Sequence, residues 1–353
     1  MAKETVSSAA AGMAGTCRPS PSVEGGDSTL EVVDVEVRTR PGLYHDEIIA
    51  REVAMTAFLF PGQGSQYVGM ARRVPDPEVS RQLFAEASSV LGFDLWDLIE
   101  SGDEATLMRT ENTQPALFVT EMAWAQALSR RGIAADIAAG HSLGEFSALC
   151  YAGVFSFEDG VRLVQQRGAL MAEAVSRSPG SMAAVIGLSG DDLAAVLADG
   201  RTAGIVEPAN YNAVDQTVVS GETAAVLRVV QSVRALGRGR AIPLKVGAPF
   251  HSSIMAPGAR EFEGVLNQVT LARPRIPVVN NVAAAIEGDP GTIRSCLVAQ
   301  FKNPVQWVRT MEVLKEQGVD RCVEVGPKSV LTALAKKTIP GAALEAVEEM
   351  KWQ

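Results

Sequence analysis

Histidine is scarce in this chain: His45, His141 and His251 are the only three among 353 residues. Imidazole acid–base chemistry is therefore confined to very few places. Cysteine is scarce too. Cys17, Cys150, Cys296 and Cys322 are too few for a disulfide scaffold, and no two fall at the CxxC spacing of a metal site. They read as reduced thiols of a cytoplasmic protein, with no metal site expected. No run of 18 apolar residues exists, so no membrane span is expected. The N-terminus lacks a basic stretch followed by an apolar core, so it does not read as a secretory signal. Basic charge is not in excess: 32 Lys and Arg face 41 Asp and Glu, for a net charge of −9. That balance argues against nucleic acid as a partner.

What is present is an ordinary core-forming composition, 47% hydrophobic and 21% charged, long enough for two domains or one domain with an insertion. Residues 1–55 differ from the rest. They begin rich in Ser, Ala and Gly, and carry five basic against nine acidic residues. They read as an acidic, largely disordered leader with a short strand near Leu30–Val37. From Thr56 onward, apolar runs alternate with helical patterns. Ala57–Phe60 reads as a buried strand closed by Pro61-Gly62. Thr113 reads as the N-cap of a helix with Pro115 in its first turn, and Ile133–Ala139 as a second strand. This alternation predicts an α/β fold with a parallel sheet.

Residues 181–246 have another rhythm. Strand Met182–Leu188, helix Asp191–Ala198, strands Gly204–Asn210 and Gln216–Ser220, helix Glu222–Leu236 and strand Ala241–Val246 give the order β-α-β-β-α-β. The predicted organisation is an α/β-hydrolase-like core, 56–180 and 247–340, carrying an inserted ferredoxin-like small domain at 181–246. A C-terminal tail, 341–353, follows.

The sharpest chemical signal is Gly140-His141-Ser142-Leu143-Gly144, a G-x-S-x-G between a predicted strand and a predicted helix. That context suits a nucleophile elbow: Ser142 is lifted above the sheet edge and the Leu143 amide faces a developing oxyanion. A serine nucleophile needs a base. His45 lies in the leader and His141 diverges from its neighbour at a tight turn, which leaves His251. No carboxylate stands out as its orienting partner. The glycine-rich Phe60–Gln66 lacks the Lys-Ser/Thr of a P-loop and suits a second oxyanion donor after an early strand. Arg167 falls four residues after Leu163, on the apolar stripe of its predicted helix. An inward guanidinium requires an anion, either a protein carboxylate or a substrate carboxylate held bidentately.

Eight segments then converge on one resemblance: Phe60–Gln66 (FPGQGSQ), Thr113–Phe118 (TQPALF), Gly140–Glu145 (GHSLGE), Gln166–Gly168 (QRG), Pro249–Ser252 (PFHS), Val279–Val282 (VNNV), Asn303–Trp307 (NPVQW) and Glu324–Pro327 (EVGP). In these motifs the chain resembles the malonyl-CoA:acyl carrier protein transacylases, close to the free-standing acyltransferases of trans-acting polyketide assembly lines. The resemblance implies a ping-pong transfer of a malonyl, or substituted malonyl, group from coenzyme A to the phosphopantetheine thiol of an acyl carrier protein. Ser142 would be the nucleophile and His251 the acid/base. Gln63 and Leu143 would form the oxyanion hole, and Arg167 would hold the acyl carboxylate. The backbone carbonyl of Gln300 would orient His251. Phe250 and Ala248 would line the specificity pocket. Leu143 and Phe250 resemble malonyl-type patterns, whereas Gly247-Ala248 departs from them. No cofactor is expected: coenzyme A arrives as the thioester substrate, and the phosphopantetheine belongs to the carrier. The family also contains editing acyl hydrolases, which use the same Ser–His pair. The segment 301–337, with seven basic and four acidic residues, reads as a docking face for an acidic carrier through Lys336 and Lys337.

Overall fold

Ala57, Phe58, Leu59 and Phe60 are all fully buried, as a strand in the middle of a doubly covered parallel sheet must be. The computed structural model describes residues 54–352, except Lys245 and Gly247. The leader expected over 1–55, with its strand near Leu30–Val37, therefore lies outside the described residues but for its last two.

The chain begins with β1 (Thr56–Phe60), α1 (Pro77–Leu91), α2 (Leu95–Glu100), α3 (Glu104–Leu107) and α4 (Thr110–Arg130). It continues with β2 (Ile137–Gly140), α5 (Gly144–Tyr151) and α6 (Phe157–Arg177). Next come β3 (Ser181–Ile186), α7 (Gly190–Arg201), β4 (Val206–Ala213), β5 (Gln216–Gly221), α8 (Thr223–Leu236) and β6 (Arg240–Pro243). The rest is α9 (Ala256–Leu266), β7 (Val278–Val279), α10 (Pro290–Gln300), α11 (Trp307–Glu316), β8 (Arg321–Glu324), α12 (Val330–Ala335) and β9 (Ala343–Ala346).

Five strands form a parallel sheet in the order β7-β2-β1-β8-β9. Alternate residues of its strands feed two cores. Phe58, Phe60, Ala138 and Val323 join one cluster, with Trp124 and Phe146. Ala57, Leu59, Ile137, Ala139 and Cys322 join the other, with Trp307 and Met311. The second sheet is antiparallel, in the order β4-β5-β3-β6. One face of it, through Ala183, Val185 and Val219, packs on Val226, Val229 and Val233 of α8. The other face, through Met182, Ala184 and Val218, belongs to the main core. Segment 181–243 is thus a second layer of the single unit Val53–Gln353. The backbone also crosses between the layers, where Val305 N donates to Ala209 O at 2.8 Å and Tyr211 N to Val305 O at 2.9 Å.

Three sequence expectations need correction. Helix α4 starts at Thr110, not Thr113, which puts Pro115 inside the helix. Thr113 is no cap; its hydroxyl donates to Leu107 O at 2.6 Å. Pro115 leaves one helical acceptor without its backbone donor, yet Thr113–Leu128 is buried along most of its length, and that packing outweighs the local preference. Strand β2 starts at Ile137, not Ile133, just after Asp136, whose carboxylate accepts Thr56 N–H at 2.8 Å. The presumed tail contributes β9, the edge strand parallel to β8. Among the described residues, no helix is long and apolar enough to cross a membrane.

Candidate active site

Strand β2 runs into α5 through Gly140–Gly144, and the turn has no room for side chains at its glycines. A Cβ on Gly144 would lie 2.0 Å from Phe60 O, and one on Gly140 would lie 1.9 Å from Gly144 C. The tightness forces Ser142 into the left-handed region at φ 53°, a strained conformation for a residue with a side chain. The amides of Gly144, Glu145 and Phe146 turn back onto the carbonyls of His141, Ser142 and Leu143. The Leu143 amide therefore stands ahead of the helical ladder, at the positive end of α5.

Asn281 braces this turn from the loop after β7. Its Oδ1 accepts Ser142 N–H at 2.7 Å and its Nδ2 donates to Gly140 O at 2.7 Å. His251, also left-handed at φ 58°, arrives from the loop before α9. Its Nε2 lies 2.8 Å from Ser142 Oγ, and its Nδ1 lies 2.8 Å from the carbonyl of Gln300, the last residue of α10. A carbonyl only accepts, so the proton sits on Nδ1, and Nε2 is free to take the serine proton. Burial, followed by the charge of Arg167, pushes the His251 pKa down to about 3, so the ring rests neutral.

Arg167 comes from α6 and is 1% exposed. Its guanidinium donates to Gln114 Oε1 at 2.9 Å, Gln300 Oε1 at 2.8 Å and Ser142 Oγ at 3.1 Å. It also lies over the rings of Phe146 and Phe301, 5.3 and 5.6 Å from their centroids. Every one of these hydrogen-bond partners is neutral, and Nε has none. Burial pushes its pKa down to about 9, partly offset by Glu145, and the group stays charged near neutrality. Of the two readings open in the sequence, the ion pair with a protein carboxylate is absent from the contacts of this side chain.

Ser142, His251, Arg167, Gln63, Leu143 and Phe250 all line one cavity of about 120 Å³, walled on its far side by Met182, Leu244 and Val246. Gln300 lies beneath it, fully buried. Ala248 is the exception. It is packed in the main core and does not line the cavity, because the chain turns there, with Ser252 Oγ donating to Pro249 O at 2.6 Å. His141 faces away from Ser142, as its position predicted: its Nε2 lies 2.8 Å from Asn212 Oδ1 of β4, and its ring packs on Trp307. Three of the seven basic side chains of the face expected over 301–337 are held in ion pairs. Lys337 pairs with Asp215, Arg309 with Glu312 and Glu316, and Arg321 with Glu345.

Sequence reasoning gave no role to Gln114, Glu145 or Asn281. All three stand inside quoted motifs, but nothing local reveals that they meet Arg167, Gln300 and Ser142.

Comparison with known proteins agrees with this geometry. Residues 57–351 match the acyl transferase domain family. The malonyl CoA-acyl carrier protein transacylase of Salmonella typhimurium is 42% identical over 295 residues, 83% of this chain and 96% of that protein. The protein of the same name from Escherichia coli K12 is 43% identical over 298 residues, with the same coverage. The crystal structure of an acyl carrier protein S-malonyltransferase from Vibrio cholerae superposes with a TM-score of 0.80 at 40% identity, covering 83% of this chain and 96% of that one. A malonyl-transacylase solved in complex with its type II polyketide synthase acyl carrier protein superposes at 0.81 and 42% identity, covering 84% of this chain and 97% of that one. An acyl transferase domain match over nearly all the described residues, with relatives aligned along almost their whole length, means that this chain belongs to the acyl transferase family of the malonyl CoA-acyl carrier protein transacylases.

Proposed function

We propose that this chain moves a malonyl group from coenzyme A to the phosphopantetheine thiol of an acyl carrier protein, in fatty acid or polyketide synthesis. The observation that carries the reading is Arg167: a buried cation beside the candidate nucleophile whose partners are all neutral. A hydrolase of simple acyl groups has no use for such a charge, whereas a malonyl unit brings the carboxylate that satisfies it.

The steps follow from the hydrogen bonds. His251 Nε2 takes the proton of Ser142 Oγ, which attacks the thioester carbon. The oxyanion forms against the Leu143 amide and the Gln63 loop. The carbon–sulfur bond breaks, and coenzyme A leaves with the proton from His251. The carrier thiol then gives its proton to His251 and attacks the acyl-serine, and Ser142 recovers its proton as it departs. Gln300 O holds the ring throughout. A bound acyl carboxylate also offsets the Arg167 charge that depresses His251, so the arrival of the correct substrate makes the base stronger. The chain supplies every group these steps use, and no cofactor enters them. Coenzyme A thioesters are a cytoplasmic pool, and we assign the chain to that compartment.

The test is intact-protein mass after mixing with malonyl-, methylmalonyl-, ethylmalonyl- and acetyl-CoA in competition, with and without a holo carrier. A malonyl adduct on Ser142 that moves to the carrier is the expected result. A substituted-malonyl adduct would revise the acyl group. Steady release of coenzyme A without a lasting adduct would overturn transfer in favour of hydrolysis.

A further inference from the structure

Glu145 is buried at 2% exposure, directly beneath the nucleophile, and the transfer steps leave it unused. Its Oε2 accepts two donors: Gln300 Nε2 at 2.6 Å and the Asn281 backbone N–H at 3.2 Å. The Gln300 amide also donates to Ser142 O at 3.0 Å. Its other end, Oε1, accepts from Arg167 Nη2 at 2.8 Å. Its backbone carbonyl accepts from His251 Nδ1.

A side-chain amide has two similar ends, and either could face the guanidinium. Only the carbonyl end can bind it; the NH2 end would set donor against donor. Something must hold the amide the right way round when Arg167 moves from Ser142 to a substrate. Glu145 is suited to that because the oxygen it presents to Gln300, Oε2, accepts from the amide, which admits the NH2 end. It also differs from a direct ion-pair partner. A carboxylate touching Arg167 would occupy the fork that the acyl carboxylate needs. At one remove, through an amide, Glu145 still helps keep Arg167 charged and leaves the fork free. Burial pushes the Glu145 pKa up to about 7, against the pull of Gln300, Asn281 and Arg167, which accords with a buried carboxylate that has no direct cationic partner.

We infer that Glu145 is a positioning residue for substrate selection: by accepting from the Gln300 amide it aims the other end of that amide at Arg167 and so sets the guanidinium for an acyl carboxylate. The inference rests on the malonyl-transfer reading. It predicts a particular split. Loss of the acceptor should harm substrates with a carboxylate more than those without one, whereas a merely structural role would lower both alike.

The experiment measures the rate of Ser142 acylation by malonyl-CoA and by acetyl-CoA in the full-length enzyme. Glu145→Met, which keeps the volume and removes the acceptor, should lower the malonyl-to-acetyl ratio at least tenfold. Glu145→Gln, whose carbonyl can still accept, should restore most of it. The exchange Glu145→Gln with Gln300→Glu keeps volume and charge but sets a carboxylate on Arg167; it should also lose at least tenfold in the ratio. An unchanged ratio in Glu145→Met and in the exchange would overturn the inference, as would equal losses on both substrates. Arg167→Ala separates the two levels. If that variant loses malonyl preference while Glu145→Met keeps it, the malonyl reading stands and the positioning role falls. If Arg167→Ala keeps the preference, the carboxylate clamp falls and the positioning role with it.

Discussion

Ser142 and His251, 109 residues apart in the chain, meet at 2.8 Å with both backbones in the left-handed region. Strained backbone persists only where the surroundings over-determine it. Here the surroundings are nameable. Asn281 holds both sides of the serine turn, and the carbonyl of Gln300 holds the ring. The reactive geometry therefore depends on residues that never touch a substrate.

The serine turn should be intolerant of a single methyl group. A Cβ on Gly144 meets the backbone oxygen of Phe60, which cannot move without displacing β1. Gly144→Ala should destabilise the protein by about 3 kcal/mol and abolish acylation. Gly264→Ala is the control: it is helical and exposed, with open space where the Cβ would stand, and should stabilise by about 0.5–1 kcal/mol. Denaturant titration of both variants checks this. Equal effects would mean that the turn is looser than described.

Asn281→Ala removes the acceptor of the Ser142 amide and the donor to Gly140 O together. Both groups are left without a side-chain partner in a buried turn. The expected loss is on the order of 3 kcal/mol in stability, with Ser142 acylation slowed at least tenfold. Stopped-flow acylation and thermal unfolding of the same sample read both. Normal acylation kinetics would show that the strained turn needs no brace.

Glu145 gives stability a pH dependence of known sign. Its folded pKa, about 7, lies above the ordinary 4.5, so the folded chain holds this proton more tightly than the unfolded chain. The stabilisation is present in full below pH 4.5 and is lost as pH rises through 7. Glu145→Gln cannot ionise. Its stability relative to the parent should therefore rise between pH 5 and pH 8, by on the order of 3 kcal/mol. Urea unfolding of the two proteins at both pH values gives the difference directly. A difference that stays constant with pH would show that Glu145 does not titrate there.

The C-terminal segment should affect the oxyanion loop. Glu348 accepts from Tyr67 OH and from Lys328 N at 2.9 Å. Lys328 sits at φ 65°, and its Nζ donates to Gly64 O at 3.1 Å and Gln66 O at 3.3 Å, on either side of the loop that follows Gln63. Glu348→Ala should lower kcat about tenfold, with KM for malonyl-CoA within twofold, because a displaced oxyanion donor acts on the transition state more than on binding. Steady-state kinetics decide it. A change confined to KM would point to a role in substrate entry instead.

How much of this was legible in the chain follows from how far each signal reaches. The order of strands and helices, the serine turn with its small residues, the one histidine left by elimination and the inward arginine are all local or combinatorial facts. They depend on neighbours within a turn or two, or on there being only three histidines to choose from. Local preference failed where packing overruled it. Pro115 lies inside α4 because the helix is buried, and Ala343–Ala346 forms a strand because the edge of β8 was open to it.

The partners of the arginine belong to another class. That Arg167 faces Gln114 and Gln300, with no carboxylate in contact, depends on the middle of α6 meeting the first turns of α4 and the last residue of α10. So does the alignment of Glu145, Gln300 and Asn281 under Ser142, across as many as 158 residues of chain. The sequence by itself determined which residues could do chemistry, because chemistry belongs to side-chain type and to the short-range backbone that presents it. Only the tertiary structure decided which of them share a hydrogen bond and which charge is left without a counter-ion, because those are fixed by the packing of helices on a sheet and not by position along the chain.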